Sequence, residues 1–110
     1  MKHAVVILKS AEHDLQDLRG YLLKKFGRSA WLESYAAIKA AIDNLSVFPC
    51  SGSVPDALEK INLGQYRQVI AGKNRIIYEV RQATIYVHIV ADCRRDMKTL
   101  LTQRLLRVAE

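Results

Sequence analysis

The residues of this sequence that could do chemistry are mostly cations, and they are concentrated in its second half. Residues 1–59 contain seven Lys or Arg and seven Asp or Glu, whereas residues 60–110 contain ten and four. The whole formal charge of +6 therefore lies in the second part. Such a surface suits a partner rich in phosphate or carboxylate groups. A solvated surface that only keeps the protein soluble is the open alternative.

One histidine and three arginines could carry acid–base chemistry. His88 falls in the middle of an apolar run, Arg75 begins an earlier run, and Arg94 and Arg95 follow the last one. A histidine within reach of a substrate hydroxyl can act as a general base, and arginines can stabilise charge that develops on a phosphate. An ordinary strand histidine and a local Arg–Asp ion-pair turn remain open interpretations of the same residues.

Motifs for nucleotides, metals and membranes are absent from the sequence. It contains no GxGxxG, P-loop or HExxH pattern. Cys50 and Cys93 belong to no CxxC or Cys/His cluster, so we expect two reduced thiols, no metal and no cofactor. The apolar run at residues 4–8 is too short for a signal-peptide core or a membrane span. We therefore expect a cytoplasmic protein with no membrane partner.

Apolar periodicity predicts the elements of the first half. Residues 3–8 are rich in β-branched side chains and predict a strand. Two helices follow, with Ser10 and Ser29 as expected N-caps. The short linker between them predicts an antiparallel helical hairpin with facing stripes. The stripes are Ala11, Leu15, Leu18, Leu22 and Phe26 on the first helix, and Trp31, Tyr35, Ile38, Ile42 and Leu45 on the second.

The second half predicts a loop, three strands and a helix. Residues 49–64 hold both prolines and predict a loop with a short turn at 56–60. Strands are predicted at 66–71, 75–80 and 85–91, and their short connections force antiparallel pairing. Alternation along the last strand places Ile85, Val87, Ile89 and Ala91 on one face, with Tyr86, His88 and Val90 opposite. Residues 97–108 predict a C-terminal helix.

These elements predict one α+β domain over residues 1–110. A two-helix hairpin packs on a small, mostly antiparallel sheet in the order β-α-α-β-β-β, with a C-terminal helix after it. The first strand joins the sheet at its edge or beside the third later strand. The other side of the sheet is expected to be concave and partly open.

Five segments carry a resemblance to a known family. In order they are AEHDLQDLRGYLLKKFG, AWLESYAAIKAAIDNL, YRQ, RIIYEV and VHIVADCRRDMKTLLTQRLL. With them the chain resembles, over nearly its full length, the RelE/ParE superfamily of bacterial toxins from type II toxin–antitoxin systems. The resemblance implies a cognate antitoxin as partner. RelE-like members cut mRNA on the ribosome, whereas ParE-like members poison DNA gyrase.

The end of the chain favours the ParE branch within this resemblance. After its last predicted strand the chain continues through RRDMKTLLTQRLL, which looks like ParE and implies an inhibitor of DNA gyrase that is not an enzyme. The alternative is a ribosome-dependent mRNA endoribonuclease, for which Arg75 in RIIYEV matches an arginine of the nuclease branch. Its catalytic residues would be Arg75, His88, Arg94 and Arg95. A toxin-like fold that survives only as a binding module is a third possibility.

Two sets of contact residues are expected from the resemblance and the charge pattern. Exposed ion pairs contribute about 1 kcal/mol each or less, so the antitoxin should also bury apolar surface. An amphipathic helix laid across the toxin's helices and a strand added to the sheet edge would do so. The target-binding set is Arg67, Lys73, Arg75, Arg94, Arg95, Asp96 and Met97. The antitoxin-binding set is Leu15, Leu22, Trp31 and Tyr35.

Overall fold

Among the described residues the strands and the two long helices follow one another in the predicted order, and a short helix stands where a turn was predicted. The structure is a computed structural model that describes residues 2–60, 62–96, 99–100 and 102–104. Residues 99–100 and 102–104 are helical, and the rest of the predicted helix at 97–108 lies outside the described residues. The arrangement confirms the predicted α+β fold. The elements are β1 (Ala4–Ile7), α1 (Lys9–Lys25), α2 (Arg28–Val47), α3 (Asp56–Glu59), β2 (Tyr66–Ala71), β3 (Asn74–Arg81) and β4 (Thr84–Asp92).

The strands form one mixed sheet in the order β1-β4-β3-β2. β2, β3 and β4 are antiparallel neighbours, as their short connections require. β1 runs parallel to β4, so the first strand lies at the edge of the sheet and also beside the third later strand. Both positions proposed from the sequence are therefore the same position.

Both faces of the sheet bury apolar side chains. α1 and α2 cover one face, where Ala11 and Ile38 pack against Ile76 and Val87. We call the other side the outer face. It was expected to be partly open, yet α3 and the C-terminal helical residues cover part of it. The outer cluster consists of Leu58, Tyr66, Ile77, Ile89, Ala91 and Leu100.

Both long helices begin before the serines that were expected to cap them. α1 begins after Leu8 and α2 after Gly27, and neither N-cap residue makes a side-chain cap hydrogen bond. Ser10 instead lies inside α1, where its Oγ donates to the carbonyl of His88 at 3.3 Å. Gly27 has a φ of +93°, which residues with a side chain rarely adopt, so glycine ends α1 and lets the chain turn into α2.

A β-bulge at His88 changes which residues share a face of β4. Ile77 pairs with Ile89 while Tyr78 pairs with Val87, so His88 is an extra residue in its strand. Val87 packs under the helices, but Ile89 belongs to the outer cluster. The prediction of one common face for the apolar residues of β4 is therefore wrong beyond His88.

Side chains of α1 complete the edge of β4 where β1 ends. β1 stops at Ile7, opposite Val87. Beyond that point the carbonyl of His88 accepts from Ser10, and the N–H of Val90 donates to Oδ2 of Asp14 at 3.1 Å. The edge of β4 that faces away from β3 therefore has hydrogen-bond partners beyond the end of β1.

Tyr78 fastens the loop after α2 to the sheet. Its hydroxyl donates to the carbonyl of Pro49 at 2.8 Å and accepts from the N–H of Gly52 at 3.0 Å. Nη1 of Arg67 donates to the carbonyl of Gly52 at 2.8 Å. Burial raises the pKa of Tyr78, although the hydrogen bond from Gly52 acts in the opposite direction. The hydroxyl therefore stays protonated at neutral pH and can donate.

Replacing Tyr78 with phenylalanine is expected to lower the free energy of unfolding by about 1–3 kcal/mol, because Gly52 and Pro49 lose a buried partner. Urea unfolding of Tyr78→Phe, followed by circular dichroism, measures the loss. Tyr21→Phe is the matched control, since Tyr21 is exposed. Equal unfolding midpoints for the two variants would contradict the role of this hydroxyl.

Candidate functional site

Four of the predicted contact residues come together at one end of the sheet. Lys73 lies in the turn between β2 and β3, and its carbonyl accepts from the N–H of Cys93 at 3.0 Å. This contact holds the turn beside the end of β4, where Arg94 and Arg95 follow. Lys73, Arg94 and Arg95 are exposed. These three residues, with Arg75 beside them, are called the basic end.

Arg75 is partly buried and binds the backbone of the turn that carries the basic end. Its Nη2 donates to the carbonyl of Cys93 at 2.8 Å, and its Nε is buried without a partner among the described residues. This partner is a backbone carbonyl rather than a carboxylate, so the described contacts of Arg75 do not pair its charge with an acid.

Arg94 forms an ion pair with the neighbouring carboxylate of Asp92. Its Nε and Nη2 lie 3.0 and 3.3 Å from the carboxylate oxygens of Asp92. The hydrogen bond from the Arg94 side chain lowers the pKa of Asp92. The Arg94 side chain is 88% exposed, however, so the pair is solvated and its guanidinium can change partner at little cost.

The remaining members of the target-binding set lie elsewhere. Arg67 pairs with Tyr78 across the sheet and holds the loop at Gly52, away from the basic end. Asp96 begins the C-terminal helical residues, since its Oδ2 accepts from the N–H of Thr99 at 3.0 Å and from its Oγ1 at 2.6 Å. Met97 lies outside the described residues.

His88 belongs to a second polar cluster, on the outer face. Its Nε2 lies 2.9 Å from Oε1 of Glu79, the same oxygen that accepts from Nη2 of Arg81 at 2.9 Å. The ring of Tyr66 meets the His88 ring edge to face at 5.1 Å. The Glu79 side chain is only 9% exposed. Sequence reasoning missed Glu79 as the partner of His88 and Arg81 as the second partner of Glu79, although alternation along β3 places Glu79 and Arg81 on one face.

Electrostatics hold Glu79 in its charged form. Burial alone raises the pKa of Glu79, but the hydrogen bonds from Arg81 and His88 outweigh burial, and the resulting pKa lies below its usual value of 4.5. Burial, and then the charge of Glu79, raise the pKa of Tyr66. Tyr66 therefore remains a neutral phenol beside a charged carboxylate at neutral pH.

Glu79→Gln is expected to cost about 1–3 kcal/mol of stability at neutral pH, because a buried acceptor of two hydrogen bonds loses its charge. Since the folded-state pKa of Glu79 is depressed, its stabilisation is present above 4.5 and is lost as pH falls through the folded-state pKa. The stability difference between the two proteins should therefore shrink in acid. Urea titrations at several pH values measure it, and a pH-independent difference would contradict the argument.

The four residues of the alternative catalytic set do not converge on one point. Arg75 pairs with Ala91, three residues along β4 from His88, which places their backbones about 10 Å apart. Arg94 and Arg95 follow the end of β4 and point from an exposed turn. His88 is engaged by Glu79 rather than by any of the three arginines among its described contacts.

A groove of about 1030 Å³ separates the helical hairpin from the basic end. Tyr21 and Phe26 line its helical side, with ring centroids 6.1 Å apart, and Lys73 and Arg94 line the other. Phe26 was expected in the core, but it is the C-cap of α1 and is 65% exposed. The groove therefore offers apolar surface next to positive charge.

Comparison with known families decides the identity of this fold. The profile of the family described as "ParE toxin of type II toxin-antitoxin system, parDE" matches residues 5–97. The chain belongs to the ParE toxin family. None of the curated protein sequences is similar enough to match this ParE-family chain.

Solved structures share the fold of this ParE-family chain. One is the chromosomal ParDE toxin–antitoxin system from P. aeruginosa, with a TM-score of 0.68 and 12% identity, covering 83% of this chain and 96% of that one. Another is the toxin–antitoxin complex RelBE2 from Mycobacterium tuberculosis, with a TM-score of 0.59 and 20% identity, covering 84% of this chain and 99% of that one. The fold is thus common to ParE and RelE proteins.

The antitoxin-binding set divides between core and surface in this ParE-family chain. Leu15 packs against the buried cluster under the helices. Leu22 lines the groove. Trp31 and Tyr35 contact each other, with ring centroids 5.4 Å apart, and Tyr35 is exposed. Tyr21 lies outside the predicted apolar stripe of α1, and Phe26 lies within it. Both side chains are exposed, and they extend the apolar surface toward the basic end.

The part of the chain that the structure describes holds neither a cluster of metal-binding side chains nor a helix able to span a membrane. Among the described residues no three His, Cys, Asp or Glu side chains are grouped as a metal ion would need. In the same part of the chain no helix is both long and apolar enough to cross a bilayer.

Proposed function

We propose that this toxin inhibits DNA gyrase in the cytoplasm and is kept inactive by an antitoxin protein. The observation that carries the proposal is the match of residues 5–97 to the ParE family. Resemblance to ParE-like toxins implies DNA gyrase as the target. The spread of the alternative catalytic residues supports the same choice. Arg75 donates to the carbonyl of Cys93 whereas His88 contacts Glu79, so different partners hold the two side chains.

The basic end is the surface we assign to the target. Lys73, Arg94 and Arg95 are exposed side by side, and Arg75 braces the backbone beneath them through Cys93. Exposed cations of this kind accelerate and orient binding to a negatively charged partner. Asp96, which caps the helical residues that follow, belongs to the same proposed set, and so does Met97, which lies outside the described residues. Arg67 donates a hydrogen bond to the loop at Gly52, so its positive charge lies away from the basic end.

The groove is the surface we assign to the antitoxin. Its apolar helical side, formed by Tyr21, Leu22 and Phe26, would take the apolar face of an amphipathic helix. Lys73 and Arg94 on the other side would meet acidic residues of that helix. Trp31 and Tyr35 extend the contact along α2, and an added strand would pair with a sheet edge.

A ribosome-dependent endoribonuclease is the second candidate. The contact between His88 and Glu79 beside Tyr66 favours it, because a carboxylate-oriented histidine can move a proton. In that case Arg75, Arg94 and Arg95 would bind phosphates, and Arg75→Ala would abolish cleavage of mRNA at the ribosomal A site.

Induction of the toxin in bacterial cells separates these functions. The gyrase proposal expects an SOS response with mRNA left intact, because cleaved DNA accumulates. Translation arrest with cut transcripts and no SOS response would overturn it in favour of the nuclease. Normal growth at high toxin levels without the antitoxin would instead favour a protein that only binds.

A further inference from the structure

The side of α2 that faces away from the core carries apolar side chains of its own. Ile38 and Leu45 are buried on the core side. On the other side Leu32 and Tyr35 are 49% and 45% exposed, although both are large and apolar. Residues spaced by three, four or seven positions share one side of a helix. The outward stripe defined in this way consists of Arg28, Leu32, Tyr35, Ala36 and Asp43, all of which are exposed.

The two ends of the outward stripe carry charges of opposite sign. Arg28 is the first residue of α2, and Asp43 lies one turn before its end. Because a helix dipole favours anions at the N-terminus and cations at the C-terminus, each charge stands at the end that suits the other. Neither side chain forms an ion pair with another described residue. Both would therefore be stabilised by a neighbour whose charges run in the reverse order.

An antiparallel copy of the same helix has this reverse order. Two copies related by a twofold axis contact each other isologously, so that residue i meets residue j and residue j meets residue i. When Arg28 stands opposite Asp43 of the second copy, Tyr35 stands opposite Ala36, because both pairs share one midpoint on the helix. A large side chain then meets a small one at the centre of the contact. Charge and shape are therefore self-complementary in the same register.

We propose that the outward stripe of α2 binds a second copy of this chain, with the two α2 helices antiparallel. Two Arg28–Asp43 ion pairs close the ends of the contact, and Tyr35 of each copy covers Ala36 of the other. Leu32 lies one turn from this centre and is covered by the facing helix. The inference goes beyond the proposed function, and its test needs neither the antitoxin nor the target.

Sedimentation equilibrium of the purified chain, made by cell-free synthesis, tests this dimer. The wild-type chain should pass from monomer to dimer as its concentration rises. Arg28→Glu and Asp43→Arg should each weaken the dimer by on the order of tenfold or more, because each reversal brings like charges together in both symmetry-related pairs. The double variant restores opposite charges and should restore the dimer. The single reversals change the net charge in opposite directions, so net charge cannot explain a shared loss.

Glu33→Arg is the matched control, because Glu33 lies on the flank of α2 that lines the groove. This reversal should leave the dimer unchanged, and circular dichroism checks that every variant is folded. A wild-type chain that stays monomeric at all concentrations would overturn the proposal and leave this side of α2 to a different protein. A dimer that the single reversals do not weaken, or that the double variant does not recover, would use another surface and would also overturn it.

Discussion

Reversing the three exposed cations of the basic end, by Lys73→Glu, Arg94→Glu and Arg95→Glu, is expected to abolish growth inhibition. All three side chains are exposed, so the fold should tolerate the change. Opposite charges at a docking surface slow association and repel an anionic partner, which should weaken binding by on the order of a hundredfold. Colony formation after induction measures the loss, and circular dichroism checks the fold.

A matched triple variant separates local charge from net charge. Lys9→Glu, Lys39→Glu and Lys60→Glu are also exposed positions, and each triple changes the formal charge by six, from +6 to zero. This control should remain toxic. If both triples lost toxicity together, net charge alone would explain the result. If the basic-end triple stayed fully toxic while folded, the basic end would not contact the target.

Gly52→Ala should produce the largest loss of stability among the substitutions proposed for this protein. A Cβ at Gly52 would lie 2.6 Å from both the carbonyl oxygen of Gln68 and the hydroxyl of Tyr78, closer than real Cβ atoms approach. The loop must move, and the hydrogen bonds of Tyr78 weaken with it. Overpacking together with these lost bonds should cost about 3 kcal/mol, a large part of the stability of an ordinary domain.

Gly20→Ala is the control for this substitution. Gly20 is exposed inside α1, and a Cβ there would have nothing within 4 Å. Alanine should therefore raise stability by about 0.5–1 kcal/mol, since glycine is a poor helix former. Denaturation of both variants in urea measures the two effects. Loss of stability at position 20, or none at position 52, would contradict the account of the loop.

The sequence predicted the elements that have strong periodicity. The two long helices and the antiparallel pairing of β2, β3 and β4 each follow from one local rule, and the structure agrees with them. Phe26 and Tyr35 are exceptions within the apolar stripes, because both side chains are exposed. The first strand was expected at the edge of the sheet or beside the third later strand, and its position next to β4 fits both descriptions. Helix starts were less accurate, because packing of α1 on β4 takes Ser10 away from a capping role.

The candidate sites were harder to predict, because backbone groups select the partners. Arg75 and Arg67 donate to carbonyls of Cys93 and Gly52, and any residue carries such an acceptor. The bulge at His88 changes the alternation of β4, yet no residue type in the strand marks it. Only the assembled fold shows these contacts.

A DNA cleavage assay with purified gyrase tests the central claim most directly. The toxin is added to gyrase, ATP and supercoiled plasmid, and the DNA is examined after the protein is removed with detergent and protease. The account predicts linear DNA that increases with the wild-type toxin, persists with the control triple and disappears with the basic-end triple. Unchanged supercoiling and no linear DNA at any toxin concentration would contradict it.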